Sequence, residues 1–165
     1  MSLLVTARGE AIWRGRVLRC AIGRTGVVAA KREADGATPA GTFPVRRVLY
    51  RADRMARPAT MLPIAPIGPV DGWCDTPDDP RYNQPVRLPY PTRCETLWRD
   101  DALYDLIGVI GFNDAPIVAG AGSAIFLHVA RPDYGPTEGC VAFARADLLD
   151  VLKEWRPDDR VTTVA

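Results

Sequence analysis

The stretch Ala124-Ile125-Phe126-Leu127-His128-Val129-Ala130 decides the fold. Every residue in it except His128 is apolar, the pattern of a strand covered on both faces. Side chains alternate along a strand, so Phe126, His128 and Ala130 share one face and Ile125, Leu127 and Val129 the other. Arg131–Glu138 follows as a loop with prolines at 132 and 136, and Gly139–Phe143 is a second short apolar run. Two strands joined by such a loop can bring a histidine on the first to a cysteine, Cys140, on the second.

Outward from this centre, the chain reads as short strands separated by turns. Leu3–Val5, Ala11–Trp13 and Val17–Ile22 are apolar or alternating runs parted by Arg8-Gly9-Glu10 and Arg14-Gly15-Arg16, a hairpin pattern. Val27–Lys31, Phe43–Tyr50 and Leu106–Phe112 read as further strands, with a loop at Asp35–Thr42. Residues 56–92 carry nine prolines and no periodicity, as functional or flexible segments do. Glu95–Tyr104, with Leu97, Trp98, Leu103 and Tyr104, has the composition of a short helix. The last clear element is a helix over Arg145–Trp155, where Leu148, Val151, Leu152 and Trp155 keep helical spacing and Pro157 stops it. The expectation is one mainly β domain over residues 1–165 with one or two short helices.

Composition narrows the function. The chain has 165 residues, enough to bury a core without a metal or a disulfide. Its 21 basic and 20 acidic residues give a net charge of +1, which disfavours a nucleic-acid footprint. No apolar run reaches the roughly 20 residues of a membrane helix. Met1-Ser2-Leu3-Leu4-Val5 lacks a basic region and an adequate apolar core, so no signal peptide is visible. The four cysteines, 20, 74, 94 and 140, form no C-x-x-C pair, which argues against a zinc ribbon or a thioredoxin-like site. An even count permits disulfides, and a Cys74–Cys94 bridge fits spacings seen in secreted chains.

His128 is the only histidine, so imidazole chemistry must use it. A free cysteine has a pKa of about 8.5, and a neighbouring imidazole can supply the thiolate that acts as nucleophile. Gly139 before Cys140 tolerates a sharp backbone and lets a carbonyl approach. The N–H groups of Cys140 and Gly139 are candidates to face a developing oxyanion. A strand cysteine among apolar neighbours is commonly inert packing, and a lone histidine in an apolar strand is commonly hydrogen-bonded core. Spacing alone leaves both readings open.

The wider context separates them. Phe126-Leu127-His128 followed by Thr137-Glu138-Gly139-Cys140-Val141 resembles the signature of L,D-transpeptidase catalytic domains. Lys31 through Pro44, with Gly36, Thr38-Pro39, Gly41 and Phe43, is similar to that family's early loop. Gly72-Trp73-Cys74-Asp75 and Tyr82-Asn83 resemble a smaller bacterial branch of it. The likeness spans roughly residues 5–155. It implies a β-sandwich acting on peptidoglycan, with Cys140 attacking the amide between diaminopimelate and a terminal D-alanine. His128 would move the proton, and an amine would resolve the thioester into a cross-link. Water as acceptor would make a carboxypeptidase, another cysteine amidase would share the dyad, and a cell-wall-binding domain would keep the fold without turnover.

The resemblance also implies reaction with carbapenems at Cys140, no metal or organic cofactor, and work in the periplasm or cell envelope. It departs from the family at Ala142, where an arginine often stands two residues after the cysteine, and at Val129, where glycine or serine often follows the histidine. Arg131 is the first candidate to replace that arginine and Arg145 the second. Thr137, Tyr82 and Asp75 are the further candidates for substrate contacts.

Overall fold

The computed structural model describes residues 1–165. The strands are β1 (Ser2–Thr6), β2 (Glu10–Trp13), β3 (Arg16–Ala21), β4 (Val27–Val28), β5 (Thr38–Pro39), β6 (Gly41–Tyr50), β7 (Ile64–Pro66), β8 (Asp71–Cys74), β9 (Pro85–Arg87) and β10 (Cys94–Thr96). They continue with β11 (Leu106–Ile110), β12 (Phe126–Val129) and β13 (Val141–Phe143), then helix α1 (Arg145–Glu154) and β14 (Arg160–Val164). The fold is mainly β with one helix.

The main sheet runs β11-β12-β13-β3-β2-β1-β14-β6-β7, and β6 also pairs with β11. The long β6 makes this possible. Its first half, Gly41–Pro44, lies against β14, and Val45–Tyr50 lies against β11. Eight strands thereby form a closed, barrel-like ring, where two stacked sheets were the expectation. Inside it lie Leu3, Val5, Trp13, Leu18, Val48, Leu127, Val141, Phe143 and Val161. Leu148, Val151 and Leu152 of α1 join the same cluster, and Trp155 stacks on Trp13 with ring centroids 5.1 Å apart.

A second, smaller cluster lies on the other side of β11 and β12. Phe126, Ile107 and Val109 face outward there and are covered by Trp73 of β8, Leu97 and Tyr104. The cover is a three-stranded sheet in the order β10-β8-β9, built from the proline-rich region and its sequel.

Two expectations fail. Glu95–Tyr104 is not a helix: Glu95 and Thr96 pair with Trp73 and Gly72, and the rest turns. The reason is tertiary. The carbonyls of Arg99, Asp100 and Asp101 accept from the guanidiniums of Arg51 and Arg54, and that of Leu103 accepts the Val129 N–H. The helix at 145–154 is also not the last element, because β14 follows and runs parallel to β1. Thr163 on it is buried although it is polar, since its hydroxyl donates to the Pro39 carbonyl.

Candidate active site

The parallel pairing of β12 with β13 aligns Leu127 with Val141 and His128 with Ala142. Cys140, just before β13, therefore stands beside Phe126 on the outward face. His128 and Cys140 both line one cavity of about 420 Å³, with Lys31, Glu95, Arg99, Tyr104, Arg131 and Thr137 among its walls.

The cysteine sulfur is held by the preceding turn. Sγ donates to the Ala124 carbonyl at 3.2 Å and accepts the Phe126 N–H at 3.4 Å. Burial raises the thiol to about 12, and the Glu95 carboxylate adds to that, while the Phe126 N–H and Lys31 pull the other way. The imidazole moves in the opposite direction. Burial lowers His128 to about 4, and the cations Arg99 and Arg131 push it the same way. The resting pair is therefore a neutral thiol and a neutral imidazole. The thiol proton is aimed at Ala124, where a thiolate activated by the imidazole was the expectation.

Nδ1 of His128 lies 2.9 Å from the Val129 carbonyl. A carbonyl only accepts, so Nδ1 carries the proton and Nε2 keeps a lone pair. This backbone carbonyl is the third group that orients the ring. Tyr104 meets the ring edge to face at 5.3 Å.

The loop around Cys140 is shaped by the segment Lys31–Pro39. Gly139 has φ +135°, and a Cβ there would sit 2.6 Å from the Ala37 carbonyl oxygen. Only glycine lets these two backbones approach so closely. Ala37 is fixed in turn: its N–H donates to Asp35, which also pairs with Lys31. Thr38 is fully buried, and its hydroxyl accepts the Gly23 N–H at 2.9 Å. Residues Ile22 to Arg24 then grip Thr137 through two backbone bonds of 2.9 Å. The two motifs, a hundred residues apart, are halves of one support.

Thr137 spans the turn, donating to the Cys140 carbonyl at 2.6 Å and accepting the Gly139 N–H at 3.1 Å. That uses the Gly139 N–H, so it is not a free oxyanion donor. The Cys140 N–H has no acceptor within the protein.

The other candidates divide. Arg131 is exposed at the cavity wall with no carboxylate partner. Asp75 is also at the wall, paired with Arg93 at 3.1 Å. Arg145 is turned away and joins Arg54 on the buried Asp105. Tyr82 does not line the cavity. It is buried, donates to Glu33 and accepts the Gly122 N–H at 3.0 Å. Asn83 beside it accepts the Trp73 indole N–H at 2.9 Å and the Ala124 N–H at 3.1 Å, and donates to the carbonyls of Phe112 and Asn113. The Trp73 and Tyr82-Asn83 motifs thus brace the segment that carries Ala124, the acceptor of the thiol.

Sequence reading missed Glu95, Arg99 and Tyr104 because it placed them on a helix. Arg99 pairs with Asp101 at 2.6 Å and lines the cavity. The only signal for Glu95 was a lone acidic residue beside a cysteine.

No helix is long and apolar enough to cross a membrane. No curated protein and no solved structure matches the chain. The YkuD family model, described as the L,D-transpeptidase catalytic domain, matches residues 1–163. The chain belongs to that family.

Proposed function

We propose that this member of the L,D-transpeptidase family is a cysteine acyltransferase that cleaves peptidoglycan tetrapeptide stems and forms cross-links. The observation that carries the reading is one cavity holding a thiol, an imidazole with Nε2 free, and the unpaired Cys140 N–H.

The chemistry follows from the resting charges. A thiol raised to about 12 and an imidazole lowered to about 4 do not form a standing ion pair. Proton transfer therefore accompanies attack. Sγ bonds to the amide carbon between diaminopimelate and D-alanine while its proton passes to Nε2. The oxygen takes the negative charge and the Cys140 N–H donates to it. Collapse breaks the C–N bond, Nε2 returns the proton to the leaving amine, and a thioester remains. A second stem's amine then attacks the thioester carbon and gives its proton to Nε2, the C–S bond breaks, and Nε2 returns the proton to the leaving sulfur. Arg131, the unpartnered cation at the rim, suits a carboxylate of the stem. The same thiol would be acylated by a carbapenem. The substrate class assigns the working protein to the periplasm or cell envelope.

The test is mass spectrometry of purified disaccharide-tetrapeptide after incubation with the protein and with Cys140→Ala. A cross-linked dimer made only by the unaltered protein is expected, with the variant slower by about 10⁴-fold or more. A tripeptide without dimer would convert the reading to a carboxypeptidase. No conversion by either protein would overturn it in favour of a cell-wall-binding domain.

A further inference from the structure

The mechanism leaves two cysteines unused beside the cavity. β10 pairs antiparallel with β8, and the register sets Cys94 directly opposite Cys74. The hydrogen bonding fixes the kind of pair. The Cys74 N–H and carbonyl both point at the opposite neighbour, bonding Gln84 and Asn83 at 2.9 Å. Asp71, an odd step along β8, gives its carbonyl to Leu97 beyond β10 at 3.0 Å. Cys74 and Cys94 therefore form a non-hydrogen-bonded pair, in which side chains are closest. Such pairs have Cα atoms about 4.5 Å apart, within the range of about 4.4–6.8 Å that a disulfide spans. Both are thiols in this structure.

We propose that Cys74 and Cys94 are a reversible disulfide site that staples the outer sheet along the wall of the cavity. β10 is an edge strand held to β8 by three register pairs. The neighbours of the two cysteines, Asp75, Arg93 and Glu95, all line the cavity. A bond at this pair fixes the wall at the end where backbone hydrogen bonds are missing. It holds whatever acceptor the site uses. The remaining cysteines do not compete: Cys20 lies in the ring's interior cluster and Cys140 faces the cavity.

The oxidant is a low-molecular-weight disulfide or a dithiol oxidase. Cys94, partly exposed, is the entry point, and Cys74 is fully buried. The Cys94 sulfur attacks one sulfur of the reagent, whose S–S bond breaks and whose other half leaves as a thiol with the proton. The Cys74 sulfur then displaces the second half. Two electrons and two protons pass from the protein to the reagent. Burial, and then the neighbouring Cys74, raise the Cys94 thiol to about 11, so uncatalysed exchange is slow at neutral pH and faster in alkali.

The test uses the full chain, reduced and then held with oxidised glutathione at alkaline pH. Arg81, Arg87 and Arg93 lie between the two cysteines, so trypsin separates their peptides. A linked pair of these peptides is expected after oxidation, absent after reduction and absent in Cys94→Ser. Amide exchange should slow at least several-fold in β8 and β10 of the oxidised protein and not in β1 or β14. Four alkylatable thiols after oxidation, or glutathione retained on Cys94, would overturn the site. A link that leaves exchange in β8 and β10 unchanged would overturn the staple. The peptide map needs no turnover, so its failure is distinct from a failure of the transpeptidase reading.

Discussion

The two faces of β12 differ in what their burial is for. Inward, Leu127 and Val129 pack into the apolar cluster of the ring and α1. Outward, Phe126 meets Cys140 and Tyr104, while His128 meets Tyr104 and shares one cavity with Cys140 and the carboxylate and guanidinium groups around it. The inner face contributes stability by removing area from water. The outer face spends burial on setting protonation states, since the same loss of water raises the thiol and lowers the imidazole. One strand of four residues thus serves both a core and a site.

The comparison breaks most visibly at Leu127. Leu127 is fully buried, so Leu127→Ala opens a cavity in the core and should lower unfolding stability by about 2–5 kcal/mol. Urea denaturation reads this. The rate at which a haloacetamide labels Cys140 in the folded protein should change little, since that side of the strand is untouched.

His128 sharpens it through acid. The folded imidazole titrates at about 4 and the unfolded one near 6.5. Between those values the unfolded chain holds a proton that the folded chain lacks. The contribution is fully present above pH 6.5 and is lost as pH falls through 4, about 3 kcal/mol in all. The acid side of a stability–pH curve for His128→Gln should be shallower by that amount. An unchanged slope would place the imidazole in water.

Asn83 tests whether the outer face depends on its bracing. Asn83→Ala leaves the Trp73 indole and the Ala124 N–H without their acceptor, for a loss of about 1–3 kcal/mol. Because Ala124 anchors the thiol, turnover should fall about tenfold while the inner-face amides keep their exchange protection. Arg24, paired with Glu138 at the surface, is the smallest case. Arg24→Ala should lower the unfolding free energy by less than about 1 kcal/mol, read by urea denaturation.

The inner face was legible because apolar residues at every second position can only alternate. That His128 and Cys140 line one cavity was legible through their motif. α1 was legible because Leu148, Val151 and Leu152 keep helical spacing, and all three are buried. The segment at 95–104 was not, because its conformation is decided by Arg51 and Arg54, some fifty residues earlier. β14 was missed because Arg160-Val161-Thr162-Thr163-Val164 carries little apolar weight and follows a proline stop. The neutrality of the dyad was not legible at all, since residue types do not report how completely a cover excludes water. Tyr82 read as a groove aromatic for the same reason: its partner Glu33 lies 49 positions away.

Ring closure has a consequence for how the chain is made. Ser2–Thr6 pairs with Arg160–Val164 in the sheet, and Gly41–Pro44 pairs with the same last strand. Translation delivers the first strands long before that partner emerges. Until residue 164 has left the ribosome, β1 and the first half of β6 each present an open edge. Contacts of such sequence separation form slowly, and waiting edges invite pairing with other nascent chains. The closed ring of the finished protein therefore leaves two edges open during synthesis until its last strand arrives.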